Sequence, residues 1–294
     1  MVKQSKGEKI FNFINILIML IAVIAVIIPL FSVVSTSLVS NQELSRRRFI
    51  IFPQKVDFTA YKIIFEGTSI IISGYKITIF RVVVGTVINL IFSYFTAYAM
   101  SKKDLPGRNV ITIFFFFTML FGGGLIPYYI VIKSVRLLNN VWVYILPQII
   151  SVWNTLLIRN FIMNIPESLE ESAEIDGANA VHIIFRIILP LSIPALVTIG
   201  LFYAVGHWNS WWDAFLFVSD VRKQPIQLVL RNILASAEMR INTITGRIDA
   251  TEIKPPSRAI QTATIVVTTV PIVIIYPFIQ KYFIKGIMIG AVKG

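Results

Sequence analysis

Long uncharged runs alternate with short charged connections along this 294-residue chain. Six runs of at least 20 residues contain no Asp, Glu, Lys or Arg: Ile10–Gln42, Val82–Ser101, Asn109–Ile132, Leu137–Ile158, Ile187–Trp212 and Ala259–Gln280. About 20 apolar residues in a helix cross the roughly 30 Å hydrocarbon core of a bilayer. Inside lipid, the backbone must satisfy its own hydrogen bonds, which favours helices. The pattern therefore predicts an all-α integral membrane protein with six transmembrane helices in a single domain, residues 1–294.

The composition agrees with membrane insertion and argues against a soluble globular domain. Hydrophobic residues make up 56% of the chain and charged residues 14%, whereas soluble domains are about 25% charged. The first uncharged run is much longer than the apolar region of a cleaved signal peptide, which spans about 7–15 residues. We therefore interpret this run as an uncleaved signal anchor and as the first span.

The distribution of positive charge predicts the orientation of the chain. Lys3, Lys6 and Lys9 precede the first run, and Lys102 and Lys103 occupy the short connection after the second. Dense positive charge near span ends marks the cytoplasmic side of a membrane. We therefore expect both termini in the cytoplasm. The loops 43–76 and 219–258 then lie outside, and the second of these is expected to contain a short surface helix.

The outer loops are also basic, and the chain carries a net charge of +12. A basic outer surface would attract an acidic binding protein or an anionic, uronate-containing oligosaccharide, although basic loops are common on membrane proteins. Nucleic-acid binding is a poor explanation, because the charge is divided among membrane loops and accompanies no recognisable reading module.

Two kinds of site are missing from the sequence. There is no cysteine and there are only two histidines, His182 and His207, so no metal cluster is expected. There is no G-x-x-x-x-G-K-[ST] phosphate loop. The chain is therefore expected to bind no cofactor and to be no enzyme, and any uphill transport must draw on an ion gradient or on a separate subunit.

A polar, acidic segment at residues 164–190 separates the fourth and fifth runs; we call it the acidic hairpin. Pro166 fits a first helical turn, and Asp176-Gly177 fits a helix end. Four carboxylates at helical spacing share one face of this helix: Glu167, Glu170, Glu171 and Glu174. A second, apolar stripe comprises Ile165, Leu169 and Ala173. A second short helix through Phe185 is expected to lead to the fifth span at Pro190.

This amphipathic hairpin has two interpretations. It is either a solvated loop whose apolar stripe lies on the bilayer surface, or a docking element for a soluble partner. Carboxylates that faced an anionic inner leaflet would be repelled, which favours docking.

The hairpin also resembles a known motif. Glu171-Ser172-Ala173, then Gly177, Ile187 and Leu189-Pro190, are similar to the EAA loop (EAA-x3-G-x9-I-x-L-P) of bacterial ABC importer permeases. Ser172 replaces the usual alanine, which exchanges one small residue for another. Further segments resemble the carbohydrate-uptake class, in particular its second, MalG-like permease and the LplC/YtcP-type branch: Ile175–Ala178, Trp208–Trp212, Gly123–Pro127 and the ending from Lys281 to Gly294.

The resemblance implies a fold, partners and a location. The fold is the MalG-like permease fold with six transmembrane helices, in the bacterial cytoplasmic (plasma) membrane. The implied partners are a second homologous permease, two ATPase subunits that bind ATP and Mg, an extracytoplasmic solute-binding protein and an oligosaccharide substrate. The residues that would couple to an ATPase, without any catalytic role, are Glu170, Glu171, Ser172, Ala173, Asp176, Gly177, Ala178, Leu189 and Pro190.

Candidate substrate-path residues are aromatic or polar side chains near span ends and glycines that interrupt a run. They are Gly123, Gly124, Trp153, Asn154, His207, Trp208, Asn209, Trp211, Trp212 and Asp213. Sugar sites stack rings on aromatic side chains, but tryptophans also form belts at membrane interfaces. Asn154 fits a helix–helix hydrogen bond equally well, and the glycines fit close helix packing. Arg81 is expected to reach up to the outer interface.

Two other functions remain open. An ion-coupled secondary transporter would need no ATPase, but it would normally show ionisable residues inside its spans and an internal repeat. A membrane scaffold or signalling protein could use the hairpin to recruit a cytoplasmic partner.

Overall fold

Helices account for the regular structure of the chain in a computed structural model that describes residues 6–47, 49–66, 69–244 and 258–291. No strand occurs in these ranges. Lys3 and residues 245–257 and 292–294, on which some sequence predictions rest, lie outside them. The helices are α1 (Lys6–Ser37), α2 (Asn41–Arg46), α3 (Thr59–Glu66), α4 (Ser69–Phe80), α5 (Thr86–Ser101), α6 (Arg108–Leu120), α7 (Leu125–Ser134), α8 (Val152–Ile162), α9 (Ser168–Ile175), α10 (Ala180–His182), α11 (Leu189–Asn209), α12 (Trp212–Phe217), α13 (Ile226–Ile244) and α14 (Arg258–Ala291).

Several of these helices are joined by tighter or wider turns. The π-helical segments Arg81–Gly85 and Ile183–Ile188 connect α4 to α5 and α10 to α11, respectively, without a break. Within the described ranges, 3-10 turns occupy Val141–Tyr144, Leu146–Gln148 and Val221–Lys223.

The described residues contain four helices long and apolar enough to cross a membrane: Lys6–Ser37, Ile70–Ser101, Ala180–Asn209 and Arg258–Ile275. Two further candidates are bent pairs. Residues 108–120 and 125–134 meet at 112°, and residues 141–148 and 152–162 meet at 49°. The all-helical prediction is confirmed for the described residues, which contain four to six candidate spans, depending on how each bent pair is counted.

The chain divides into two compact units, residues 1–69 with 230–271 and residues 70–229 with 272–294. In the first unit α1 exposes most of its apolar surface and buries only polar side chains near its end. There, the Ser37 hydroxyl lies 2.7 Å from the Tyr61 hydroxyl, and the Asp57 N–H donates to the Leu38 carbonyl over 2.8 Å. These bonds attach the connection after α1 to that helix end.

The second unit is built on α5, α8 and α11, which pack against one another. One apolar cluster contains Tyr94, Ala97, Ile158, Ile162, Ile183, Ile188, Ile199 and Tyr203. A separate cluster contains Ile132, Val143, Tyr144, Ile145, Ala214, Phe217, Val218 and Leu228. A helix is present in loop 219–258 as expected, but α13 is neither short nor wholly at the surface: it has 19 residues, and its first turn is buried at Ile226, Leu228 and Val229.

Candidate functional site

The first arm of the acidic hairpin ends in a glycine cap. Gly177 adopts a φ of +82°, a left-handed conformation that only glycine adopts without a steric cost. Its N–H donates to the Glu174 carbonyl over 3.0 Å, and the Ala178 N–H donates to the Ala173 carbonyl over 2.9 Å. This pair of bonds is a Schellman motif, which satisfies the last carbonyls of α9. The predicted cap is confirmed.

The second arm of the hairpin is the start of a transmembrane helix. Asn179 caps it by accepting from the His182 N–H over 2.8 Å, and the helix then continues to Asn209. The predicted helix through Phe185 is therefore present, but it is continuous with the fifth span, which begins at Ala180 and not near Pro190. Pro190 has no N–H to donate, and the turn before it widens into the π-helical segment Ile183–Ile188. The helix thus passes the proline without ending.

The inner side of the hairpin is small and apolar. Ile165, Ala173, Ala178 and Leu189 pack against the cluster around Tyr94 and Ile158. The prediction of an apolar stripe is thus right for Ile165 and Ala173. It is wrong for Leu169, which is 43% exposed. The most exposed large apolar side chain of the hairpin is Ile175, at 86%, and it stands at the tip of α9.

The four glutamates of the hairpin have different surroundings. Glu170 pairs with Lys102, and its carboxylate also accepts from the Tyr98 hydroxyl over 3.3 Å. Glu167 pairs with Lys103 over 2.5 Å. Within the described residues, Glu171 and Glu174 form no ion pair, and both are exposed. The predicted acidic face therefore has two glutamates paired with lysines of the same chain and two exposed glutamates without an ion pair in the described residues.

These pairings change two titrations. Burial alone would lower the pKa of Lys102, but hydrogen bonds to Glu170 and Tyr98 outweigh that cost and raise it above its usual value. The hydrogen bond from Lys103 lowers the pKa of the exposed Glu167 carboxyl. The Lys102 ammonium and the Glu167 carboxylate are therefore both charged at neutral pH.

A buried polar cluster of Arg81, Asn89, His207 and Asp213 joins the second long span, α11 and α12. Arg81 is 1% exposed. Its guanidinium makes two hydrogen bonds to the Asp213 carboxylate, one of them 3.0 Å long. Its Nε donates to His207 Nδ1 over 3.2 Å, and its guanidinium carbon lies 4.9 Å from the centre of the Tyr144 ring. Every strongly polar group in this cluster thus has a protein partner.

The cluster fixes the tautomer of His207. Because Nδ1 accepts from Arg81, the imidazole hydrogen must lie on Nε2, which then donates to Asn89 Oδ1 over 2.8 Å. A neutral imidazole in this tautomer connects the two side chains. His207 is 8% exposed, and both of its ring nitrogens are used within the protein.

Asn89 extends the cluster to the bend in the fourth uncharged run. Its amide nitrogen donates to the carbonyls of Gln148 and Ile149 over 2.7 and 2.8 Å. These carbonyls lie where the helix is interrupted before α8, so they lack helical partners. The amide replaces those lost bonds inside the protein.

Close packing in the cluster depends on a glycine. A Cβ at Gly85 would lie 2.6 Å from His207 Nε2, well inside van der Waals contact. Because glycine has no side chain, the second long span can approach α11 directly over the imidazole.

The predictions for Arg81 and for the second span are wrong in an informative way. Arg81 does not extend towards the interface but is buried against Asp213. The sequence pattern places the start of this span at Val82, because Arg81 ends the uncharged run. The observed one begins at Ile70, since the carboxylate of Asp213 neutralises the arginine inside the protein.

The candidate substrate-path residues fall into a buried group and an exposed group. Trp208 is 9% exposed and Asn154 8%, whereas Trp212 is 51% and Trp153 60% exposed. Asn209 is exposed as well, and so are Gly123 and Gly124 in the break between α6 and α7. Trp212 stacks on Phe215 with ring centres 5.8 Å apart and meets Trp211 edge-on at 5.3 Å. Among the candidates, Trp153 and Trp212 are therefore exposed, whereas His207 and Asp213 belong to the buried polar cluster.

Sequence reasoning missed the partners of these residues. Arg81, Asn89 and Tyr144 were not paired with the candidate path, and Lys102 and Lys103 were not paired with the hairpin. One signal was available: opposite charges, Arg81 and Asp213, flank two separate apolar runs. Such charges often pair inside a membrane protein.

Comparison with known proteins agrees with this architecture. Protein LplC of Bacillus subtilis strain 168 is 40% identical over 290 residues, which cover 99% of this chain and 97% of LplC. The polygalacturonan/rhamnogalacturonan transport system permease protein YtcP of the same strain is 42% identical over 267 residues, covering 91% and 92%. No family model matches the chain.

A solved structure shows the same fold. A chain in the crystal structure of a bacterial ABC transporter that is involved in the import of the acidic polysaccharide alginate aligns with a TM-score of 0.85 and 30% identity. The alignment covers 96% of this chain and all of that one. These relatives give no support to a secondary transporter or a signalling scaffold. The chain belongs to the membrane-embedded sugar-transport permeases of ABC importers.

Proposed function

We propose that this chain is a six-span permease subunit of an ATP-driven, binding-protein-dependent importer, in which the acidic hairpin docks onto an ATPase. It forms half of the translocation path together with a second homologous permease. Two ATPase subunits on the cytoplasmic side bind ATP and Mg, and an extracytoplasmic binding protein delivers an oligosaccharide. This subunit carries out no catalysis itself.

The single observation that supports docking most is the division of the hairpin into two sides. Glu167 and Glu170 are attached to Lys103 and Lys102, and Ala173 packs inward. Glu171, Glu174 and Ile175 remain exposed. An apolar tip beside free carboxylates is typical of a surface that a basic protein partner covers.

Charge reversal at the hairpin tests coupling. We expect Glu171→Lys to abolish substrate-stimulated ATP hydrolysis by the reconstituted importer while the permease still inserts in the membrane. We expect the same of Gly177→Leu, which strains the left-handed cap. Asp104→Lys reverses an exposed carboxylate outside the hairpin and should leave stimulation intact. Normal stimulation in both hairpin variants would contradict the proposal.

The side of the membrane on which the hairpin lies can be tested directly, because the chain has no cysteine. In the proposed topology, with both termini cytoplasmic, Ser172→Cys reacts with an impermeant maleimide only after the membrane is opened. Arg222→Cys, in a loop proposed to be external, reacts in intact cells. The reverse pattern would exclude ATPase docking by the hairpin.

The proposed substrate is an acidic, uronate-containing oligosaccharide. YtcP is named for the transport of polygalacturonan and rhamnogalacturonan, and the structurally similar transporter takes part in the import of alginate, an acidic polysaccharide. The net charge of +12 fits such a substrate. Because Asp213 neutralises Arg81, the attraction must come from other basic residues. The test measures oligogalacturonate uptake in the presence of competing oligosaccharides. If neutral oligosaccharides inhibited uptake as strongly as acidic ones at the same concentration, this assignment would be wrong.

A further inference from the structure

Two arginines converge on one carbonyl at the end of the second long span. Arg108 Nε donates to the Met100 carbonyl over 3.3 Å, and Arg159 Nε donates to the same oxygen over 3.0 Å. Arg108 lies at the start of α6 and Arg159 in the last turn of α8. Both side chains are half-buried, so the two cations share a small, partly desolvated space.

The described residues supply no counter-charge for this pair. Neither guanidinium lies within ion-pair distance of a carboxylate there, and Glu167 and Glu170 pair instead with Lys103 and Lys102. One arginine would suffice to cap the Met100 carbonyl. A second brings like charges together, which costs free energy unless an anion lies between them.

The N–H groups of the two arginines that are not bonded to Met100 indicate which kind of anion would fit. Each Nε is used on Met100, and one terminal nitrogen of Arg108 contacts the Met163 sulfur at 3.6 Å. The other terminal N–H groups of the two guanidiniums have no partner in the described part of the chain. Paired arginines with free N–H forks match the oxygens of a phosphate group.

The surroundings favour a phospholipid over a soluble anion. The site lies where three apolar helices reach their ends: α5 finishes at Ser101, α6 begins at Arg108 and α8 finishes at Ile162. From there α6 exposes a long apolar surface that includes Val110, Ile113, Phe114, Phe116 and Phe117. Acyl chains can cover that surface while the headgroup stays at the end of the helix. Basic pockets between transmembrane helices bind lipid headgroups in this way.

We propose that Arg108 and Arg159 form a binding site for the phosphate group of an anionic membrane phospholipid. The lipid lies against α6, with its headgroup between the ends of α5, α6 and α8. Lys102 and Glu170 connect that same end of α5 to the acidic hairpin, so the lipid lies beside the hairpin in the same leaflet.

Lipid retention by the purified, assembled importer tests this site. Native mass spectrometry would count the dioleoylphosphatidylglycerol molecules that remain bound, with dioleoylglycerol, which lacks the phosphate, as the comparison lipid. We expect Arg108→Gln/Arg159→Gln to lower phosphatidylglycerol retention about tenfold and to leave dioleoylglycerol unchanged. Arg108→Lys/Arg159→Lys, which keeps both charges, should retain most of it. The control Lys133→Gln/Arg136→Gln removes two exposed positive charges elsewhere and should retain it fully.

Each alternative gives a distinct result. Millimolar inorganic phosphate that displaced phosphatidylglycerol would show that the site takes a soluble anion, which overturns the assignment to lipid. Unchanged retention in the glutamine variant would overturn the site itself. Unchanged retention together with dissociation of the complex would instead assign the arginines to a carboxylate of a partner protein. If the double variant fails to assemble, the single variants, each expected to retain less lipid than the wild type, decide the question.

Discussion

Two ion pairs of the same chemistry occupy opposite environments in this permease. The Arg81 and Asp213 side chains are 2% and 13% exposed, whereas those of Lys103 and Glu167 are 70% and 61% exposed. Water solvates the second pair almost completely, and salt screens it. The first pair is almost completely removed from water, so each of its charges is stabilised mainly by the other. We therefore expect the stability of the folded protein to depend strongly on the buried Arg81–Asp213 pair and only weakly on the exposed Lys103–Glu167 pair.

Removing one partner of the buried pair should have the largest effect. Asp213→Ala leaves the Arg81 charge buried and uncompensated, and we expect the free energy of unfolding to fall by about 3–5 kcal/mol. The thermal midpoint of the detergent-solubilised permease measures this. Arg81→Met/Asp213→Leu removes both charges and should recover most of the loss. A double variant as unstable as the single one would show that the pair does not act as a unit.

Steric crowding of the same cluster should come next. Gly85→Ala places a methyl group against His207 Nε2, and we expect a loss of about 1–3 kcal/mol. Gly206→Ala, in α11, is the matched control, because a Cβ there meets nothing within 4 Å. It should stabilise the helix by about 0.5–1 kcal/mol. The two melting curves should therefore move in opposite directions from the wild type.

The half-buried Lys102–Glu170 pair lies between the two extremes. Lys102 is 38% exposed and Glu170 15%. Lys102→Met should cost about 1 kcal/mol of stability and should lower substrate-stimulated ATP hydrolysis more than Lys103→Met does, because it loosens the inner side of the hairpin. Equal ATPase stimulation in the two variants would show that the inner attachment plays no part in coupling.

Proton titration gives the smallest effects, and their signs differ. The pKa of Glu167 is lowered in the folded protein, so its contribution is present above its unfolded value and is lost as pH falls through the folded value. The pKa of Lys102 is raised, so its contribution is complete at neutral pH and is lost as pH rises through the folded value. The thermal midpoint of Glu167→Gln should differ slightly from that of the wild type at neutral pH, and this difference should vanish in acid. The difference between Lys102→Met and the wild type should vanish in strong alkali.

Sequence patterns predicted the structural features that depend only on residues close together in the chain. Uncharged runs identified the apolar helices, and Asp176-Gly177 identified the end of α9, because hydropathy and capping act over a few positions. The cost of a buried charge depends on a partner far along the chain, so Arg81 was misplaced. The sequence also could not show which glutamates of the hairpin are paired, since their partners Lys102 and Lys103 follow α5, more than 60 residues earlier in the chain.

The bend in the fourth uncharged run shows the same limit. No glycine lies between Val141 and Ile162, and Pro147 alone does not fix where the helix breaks. The carbonyls of Gln148 and Ile149 can lose their helical partners because the Asn89 amide replaces them. That replacement is a tertiary contact, which no window of sequence contains.

The uninterrupted helix from Ala180 to Asn209 has a mechanical consequence. At 1.5 Å per residue its 30 residues extend about 45 Å. One end is an arm of the acidic hairpin, and the other carries His207 and leads into the turn that bears Trp211 and Trp212. No joint separates the two ends, so a tilt imposed at the membrane surface swings the tryptophan turn at the same moment.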